Sequence, residues 1–197
     1  MSRRVRLLIS AVVLVVLVVG IVQVLGKSKK PDQTSMPLAE QQARLRGAPA
    51  PLAAIHAQAS QLLDGGADAF HARLTALQQS GHAVVINKWG SWCGPCRLEF
   101  PVFQRVAVTL GKQVAFLGID GEDPLGDAKA YLAKTPLSYP SYRDPKDRIA
   151  QSIEAGKFFP TTVFVDAHGN RTVHQGPYDD EAALERDIRR YALGLRA

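Results

Sequence analysis

The 197-residue sequence holds only two cysteines, Cys93 and Cys96, and that scarcity excludes several roles. One pair three residues apart closes no long loop, so it cannot be the framework that staples small secreted domains. A structural zinc site needs four ligands, and no second pair accompanies the first. The nearest upstream histidine, His82, is not at finger spacing. The other histidines, His56, His71, His168 and His174, show no spacing of a triad or a metal site, so neither metal nor cofactor is expected. Also missing is any run of basic residues interleaved with aromatics. The net charge of +6 is spread from Arg3, Arg4 and Arg6 to Arg186, Arg189 and Arg190, and it does not indicate nucleic acid. No internal repeat is present. Hydrophobic residues make up 46% of the chain, enough for a packed core of ordinary size, so disorder is excluded for the chain as a whole. Redox chemistry is what remains for the two cysteines.

One long apolar run is present. Leu7 to Leu25 is broken only by Ser10, Gly20 and Gln23. At about 1.5 Å per residue it is long enough to cross a hydrocarbon core of about 30 Å. The small-x-small pattern of a cleaved signal is missing around Leu25-Gly26-Lys27, and no cysteine comes after the run as a lipoprotein signal requires. The run is read as an uncleaved signal-anchor, with residues 1–27 forming a cytoplasmic tip and a single membrane span. Arg3, Arg4 and Arg6 before it balance Lys27, Lys29 and Lys30 after it, so charge does not set the orientation. The very short leading segment favours export of the downstream domain to the extracytoplasmic side of the cell membrane.

Residues 28–50 have the polar, proline-containing composition of a linker, with a short helical stretch at Leu38 to Leu45. The expected domain is 51–197, a helical front over 51–81 and a core over 82–197. Leu52, Ile55, Ala59, Leu62 and Leu63 have helical spacing from Pro51 to Leu63, and Gly65-Gly66 ends it. A second helix is predicted over Ala67–Gln79, with Phe70, Leu74 and Leu77 on one face. Strands are predicted at Ala83–Trp89, Val114–Ile119, Thr161–Val165 and Arg171–His174, the last two joined by a hairpin turn at Asp166–Asn170. Helices are predicted at Cys93–Leu110, at Asp127–Lys134 with Asp127 as cap, at Asp147–Glu154 and at Asp179–Leu193. The order predicts an α/β fold, a central mixed sheet with helices on both faces.

Cys93 falls where a strand ends and a helix begins. Unpaired N–H groups and the positive end of the helix dipole favour a thiolate there, lowering its pKa from about 8.5 towards 7 or below. Cys93 is therefore the expected attacking nucleophile. Cys96, one turn on, is placed to resolve the mixed disulfide by attacking Cys93. Pro95 lies in the first turn, where a missing N–H costs little.

These residues carry a resemblance. Trp89-Gly90-Ser91-Trp92-Cys93-Gly94-Pro95-Cys96 resembles the active-site segment of the thioredoxin superfamily, and Pro101 corresponds to the proline inside the same helix. Phe159-Pro160-Thr161-Thr162 resembles the superfamily's cis-proline segment. The anchor, Asn87-Lys88-Trp89, Arg97-Leu98-Glu99-Phe100-Pro101 and the extra helical segment before Pro160 are most similar to the membrane-anchored TlpA/ResA type. The resemblance covers about residues 82 to 195 and implies a thioredoxin-like fold. It implies that Glu99 is the proton acceptor for Cys96, since Asn87 stands where cytosolic thioredoxins bury an aspartate and an amide cannot shuttle a proton. Partial burial raising Glu99 towards neutrality is what that role requires. It further implies that Trp92, Pro95, Phe159, Pro160 and Thr161 hold a substrate chain across Cys93, while Trp89 belongs to the core.

Two departures stand out. Lys88 replaces the usual apolar strand residue, so its face is expected either to be partly exposed or to pair with an acid. The helical front does not read like the β-hairpin that commonly opens TlpA-type domains; it is expected to cover the sheet edge instead.

The function expected is an extracytoplasmic thiol–disulfide oxidoreductase acting on protein disulfides and dithiols. The Gly-Pro dipeptide favours a reductant, since thioredoxin has a potential of about −270 mV. The resemblance implies apocytochrome c among the substrates and a membrane thiol-transporting electron donor. A disulfide-forming oxidase would use the same residues. A copper-delivering module would need a longer cysteine spacing and a dedicated histidine, and a peroxidase would need a Thr-x-x-Cys pattern, which the sequence lacks.

Overall fold

The computed structural model describes residues 34–195. Among these no helix is long and apolar enough to cross a membrane, and the anchor expected over Leu7–Leu25 lies outside them.

Six strands form one sheet: β1 (Leu62–Leu63), β2 (Val84–Trp89), β3 (Ala115–Gly121), β4 (Ser141–Asp144), β5 (Thr161–Val165) and β6 (Arg171–Gln175). Their order is β1-β4-β3-β2-β5-β6. The pairs β1–β4, β4–β3 and β3–β2 are parallel, whereas β2–β5 and β5–β6 are antiparallel. The mixed thioredoxin-like sheet expected from the sequence is therefore present. Its two central strands are covered on both faces, and every residue of β2 and β3 is buried, the polar Asn87, Lys88 and Asp120 among them.

The helices are α1 (Leu38–Arg44), α2 (Ala50–His56), α3 (Gly66–Gln79), α4 (Gly94–Leu110), α5 (Leu125–Lys134), α6 (Arg148–Ser152) and α7 (Glu181–Asp187). A π-helical turn over Ile188–Ala192 continues α7, so the closing helix predicted over Asp179–Leu193 is shorter and of two kinds. Asp180 caps it, accepting from the Ala183 N–H at 2.8 Å.

Four expectations need correction. The helix expected over Pro51–Leu63 ends at His56, and the chain then turns extended so that Leu62–Leu63 pairs with β4 at the sheet edge. The front is thus mainly helical, with a two-residue strand covering the edge. Strand β4 has no counterpart among the predicted strands. It has no apolar run, yet Ser141 and Asp144 are buried because Ser141 accepts from Trp89 Nε1 at 3.0 Å and Asp144 accepts from the Ala150 N–H at 2.9 Å. Asp127 does not cap α5. The helix begins two residues earlier, after Pro124, and Asp127 lies in its first turn, where a carboxylate suits the dipole. Finally, residues 35–45, expected within the linker, are packed onto the domain. Gln41 is buried and donates to the carbonyls of Met36 and Pro136, at 2.9 and 2.8 Å. Gln104 on α4 grips the same segment, accepting from the Met36 N–H at 3.0 Å and donating to Ser35 Oγ at 3.0 Å.

Candidate active site

The C-terminal ends of the parallel strands β2 and β3 lie side by side, the position where open α/β sheets build sites. Cys93 comes shortly after β2 as the N-cap of α4, and Pro95 occupies the first turn. Cys93 and Cys96 are joined in a disulfide. The Cys96 N–H donates to Cys93 Sγ at 3.2 Å, one of the otherwise unsatisfied N–H groups of the helix start. Cys93 keeps 3% of its surface exposed and Cys96 none, so an approaching molecule can reach only the first cysteine. Pro101 lies inside α4 and is buried.

Glu99 is three residues beyond Cys96 on the same helix face and is fully buried. Asn87 Nδ2 donates to its Oε1 at 2.7 Å, and the Tyr178 N–H donates to its Oε2 at 3.2 Å. Burial raises the carboxyl to about 8, against these two hydrogen bonds, which favour the charged form. The range expected of a proton acceptor near neutrality is therefore met by burial. An amide can serve a carboxylate through its NH₂ and a carboxylic acid through its oxygen, so Asn87 suits either charge state of Glu99.

Side chains alternate along β2, so Lys88 faces away from Glu99 to the other side of the sheet. Lys88 is fully buried, and the pairing alternative for this residue holds. Its Nζ lies 2.7 Å from Asp147 Oδ1 and donates to the Gly156 carbonyl at 2.6 Å. The same ammonium stands 4.0 Å from the centroid of the Phe159 ring. Phe159 precedes Pro160, and the bond between them is cis. Pro160 lies one residue beyond the last β2–β5 pair, Lys88 with Thr161, and so at the same end of β2 as Cys93. Thr161 is buried, and its Oγ1 donates to the Phe158 carbonyl at 2.9 Å. Trp92, 52% exposed, packs its ring 4.8 Å from that of Phe159 and donates to the Gly121 carbonyl at 3.3 Å. Gly121 has no side chain for a steric reason: a Cβ there would meet Phe159 Cζ at 2.7 Å. Trp89 is buried, edge-on to Phe100 with ring centroids 5.0 Å apart, as a core residue.

Sequence reasoning missed an acidic group around the strand end just ahead of the cysteines. Asp123 accepts from both the N–H and the hydroxyl of Ser91, two residues before Cys93. Asp120, at the end of β3, is buried with neither oxygen hydrogen-bonded, and burial together with the neighbouring Asp123 raises it to about 8. The signal available was positional: Asp120-Gly121-Glu122-Asp123 closes a strand parallel to and adjoining the one before Cys93.

A redox-active pair at a strand–helix junction, with a cis-proline segment at the same end of β2, now defines the site. Residues 56–172, more than half of the chain, match the AhpC/TSA family.

The chain belongs to this family.

Within it, the thioredoxin-superfamily fold expected from the cysteine segment has relatives with thiol chemistry in their names. The chain is 29% identical over 90 residues to the thiol-disulfide oxidoreductase ResA of Geobacillus kaustophilus, covering 45% of this chain and 51% of that protein. It is 31% identical over 100 residues to the thiol:disulfide interchange protein DsbE homolog of Paracoccus denitrificans, covering 50% and 52%. The chain spans about half the length of the curated relatives it matches. Among solved structures it is similar to a putative thiol:disulfide interchange protein DsbE from Chlorobium tepidum, at 29% identity and a TM-score of 0.53. That match covers 60% of this chain and 84% of the other. The structure of MTB dsbF in its mixed oxidized and reduced forms matches with 26% identity and a TM-score of 0.53, covering 57% and 82%.

Proposed function

We propose that this AhpC/TSA-family protein is a thiol–disulfide oxidoreductase that reduces disulfides in exported proteins. The observation that carries the reading is the asymmetry of the pair: Cys93 caps the helix and retains a solvent edge, whereas Cys96 is enclosed. In the reduced protein the Cys93 thiolate attacks one sulfur of a substrate disulfide. The other substrate sulfur leaves as a thiolate and takes a proton from water. Cys96 then passes its proton to the Glu99 carboxylate and attacks Cys93 Sγ, releasing the second substrate thiolate. The substrate gains two electrons, and the protein is left with the Cys93–Cys96 disulfide. Burial raises the Glu99 carboxyl to about 8, which makes its carboxylate a stronger base than an ordinary one and so a better acceptor for a thiol proton.

The substrate chain lies along Trp92, Pro95 and Phe159 and pairs with the backbone just before Pro160, while Pro160 and Thr161 hold that segment at the start of β5. Support for this placement is the exposed Trp92 ring seated against Phe159 beside the cis bond. Re-reduction requires a dithiol donor, and outside a membrane a thiol-transporting membrane protein fills that role. Support for the extracytoplasmic location is the apolar run from Leu7 to Leu25. Apocytochrome c is the exported substrate that the TlpA/ResA resemblance implies.

The direction of electron flow is tested by equilibrating the protein with dithiol–disulfide buffers and measuring its potential. A value near that of thioredoxin, about −270 mV, is expected of a reductant. A value near −120 mV, about that of a strong oxidant, overturns the direction and makes the protein a disulfide-forming oxidase.

A further inference from the structure

The cis-proline loop has an internal support that the redox chemistry does not use. An unpaired ammonium is costly to bury, and Lys88 is buried completely in the strand leading to Cys93. Three groups in one region engage its ammonium, as an ion pair, a hydrogen bond and a ring contact. Asp147, itself almost buried and with a left-handed backbone at φ 57°, neutralises the charge. The Gly156 carbonyl accepts a hydrogen bond, and Gly156 also has a positive φ, 63°. The ring of Phe159 lies against the same nitrogen, and on its remaining sides meets Gly121 and Trp92. An apolar strand residue would pack the sheet equally well but would neither hold the Gly156 carbonyl nor attract the negative face of the Phe159 ring.

We propose that Lys88 is a positioning residue for substrate: held by Asp147, it fixes the segment from Gly156 to Phe159 so that Phe159 and Trp92 form one apolar platform beside Cys93. The proposal rests on the reading of Phe159 and Trp92 as substrate contacts, and it assigns the strand before the cysteines a second task. Asn87 faces Glu99 and serves the proton; Lys88, the next residue, faces the opposite way and serves the polypeptide.

The test compares two disulfides of different size in the wild-type protein and in Lys88→Met. Insulin, reduced in the presence of dithiothreitol, requires the platform. Hydroxyethyl disulfide, reacting with the pre-reduced protein, requires only an accessible Cys93. Lys88→Met is expected to raise KM for insulin by about fivefold to tenfold, the effect of one misaligned aromatic contact, while kcat and the small-disulfide rate stay within about twofold. The double variant Lys88→Met/Phe159→Ala is expected to be no worse than Phe159→Ala alone, because both changes remove the same contact. If Lys88→Met does not fold, Asp147→Asn, which keeps the size of the partner, takes its place in the same comparison. An unchanged insulin KM overturns the proposal, as does an equal loss on both disulfides or additivity with Phe159→Ala. Failure of the wild-type protein to reduce either disulfide refutes the oxidoreductase reading itself, a separate outcome from failure of the Lys88 assignment.

Discussion

Asn87 Nδ2 and Glu99 Oε1 lie 2.7 Å apart in a region closed to solvent, so the strand before the cysteines and the helix after them share one buried carboxyl. Glu99→Gln removes its proton chemistry and keeps its shape. We expect the attack of Cys93 on substrate to change little and the resolving step at Cys96 to slow by about tenfold to a hundredfold. The pH dependence of that step, which in the wild type rises through about 8, is expected to flatten. Rapid-mixing measurement of mixed-disulfide decay between about pH 6 and 9 reads both effects. An unchanged profile would remove Glu99 from the proton path.

Gly121→Ala introduces a methyl group where Phe159 Cζ and Cε1 stand at 2.7 and 2.9 Å. The ring must move away from Trp92. We expect a stability loss of about 1–3 kcal/mol by urea denaturation, as for overpacking elsewhere. Insulin reduction should fall more than hydroxyethyl disulfide reduction. Equal loss on the two would show that the ring's position is immaterial to substrate choice.

Asp120 makes stability depend on pH in a definite direction. Below about 3.8, the ordinary carboxyl value, it is protonated in both folded and unfolded chains and costs nothing through charge. As pH rises from there to about 8 the unfolded chain ionises while the folded chain stays neutral, so the contribution to stability declines through this window. Asp120→Asn is therefore expected to gain on the wild type as pH increases from about 4 to 8, by more than about 1 kcal/mol at the upper end. Asp123→Ala should lower the Asp120 value, since the neighbouring carboxylate contributes to raising it. The same change frees the Ser91 N–H and hydroxyl just ahead of Cys93. Chemical denaturation across pH, with carboxyl titration by NMR, measures both. A stability difference independent of pH would contradict the assignment.

The parts of this site that were legible in the sequence are the contiguous ones. Cys93 to Cys96 announce themselves because a strand run, a helix start and the dithiol occur within a dozen positions. Glu99 lies one turn on along the same helix, and Pro160 is marked by the apolar strand that comes after it. The central strands were legible for a related reason, since burial on both faces leaves them mostly apolar, with Asn87, Lys88 and Asp120 as the exceptions. Strand β4 was not, because Ser141 and Asp144 are buried by virtue of distant partners, Trp89 and Ala150, that no local pattern encodes. Lys88 was visible as a departure. Its role depends on Asp147 and Gly156, which reach it through the fold from well down the chain. Asp120 and Asp123 come to Trp89 and Ser91, just ahead of the cysteines, only through the parallel β2–β3 register.

The division of labour between the two cysteines is tested most directly by trapping. Cys96→Ser keeps the attacking sulfur and removes the resolving one, so substrates should accumulate on Cys93 as mixed disulfides released by dithiothreitol, and mass spectrometry of the adducts would name them. Cys93→Ser should trap nothing, because Cys96 is enclosed. Adducts on Cys96 in Cys93→Ser, with none on Cys93 in Cys96→Ser, would reverse the two roles and contradict the account.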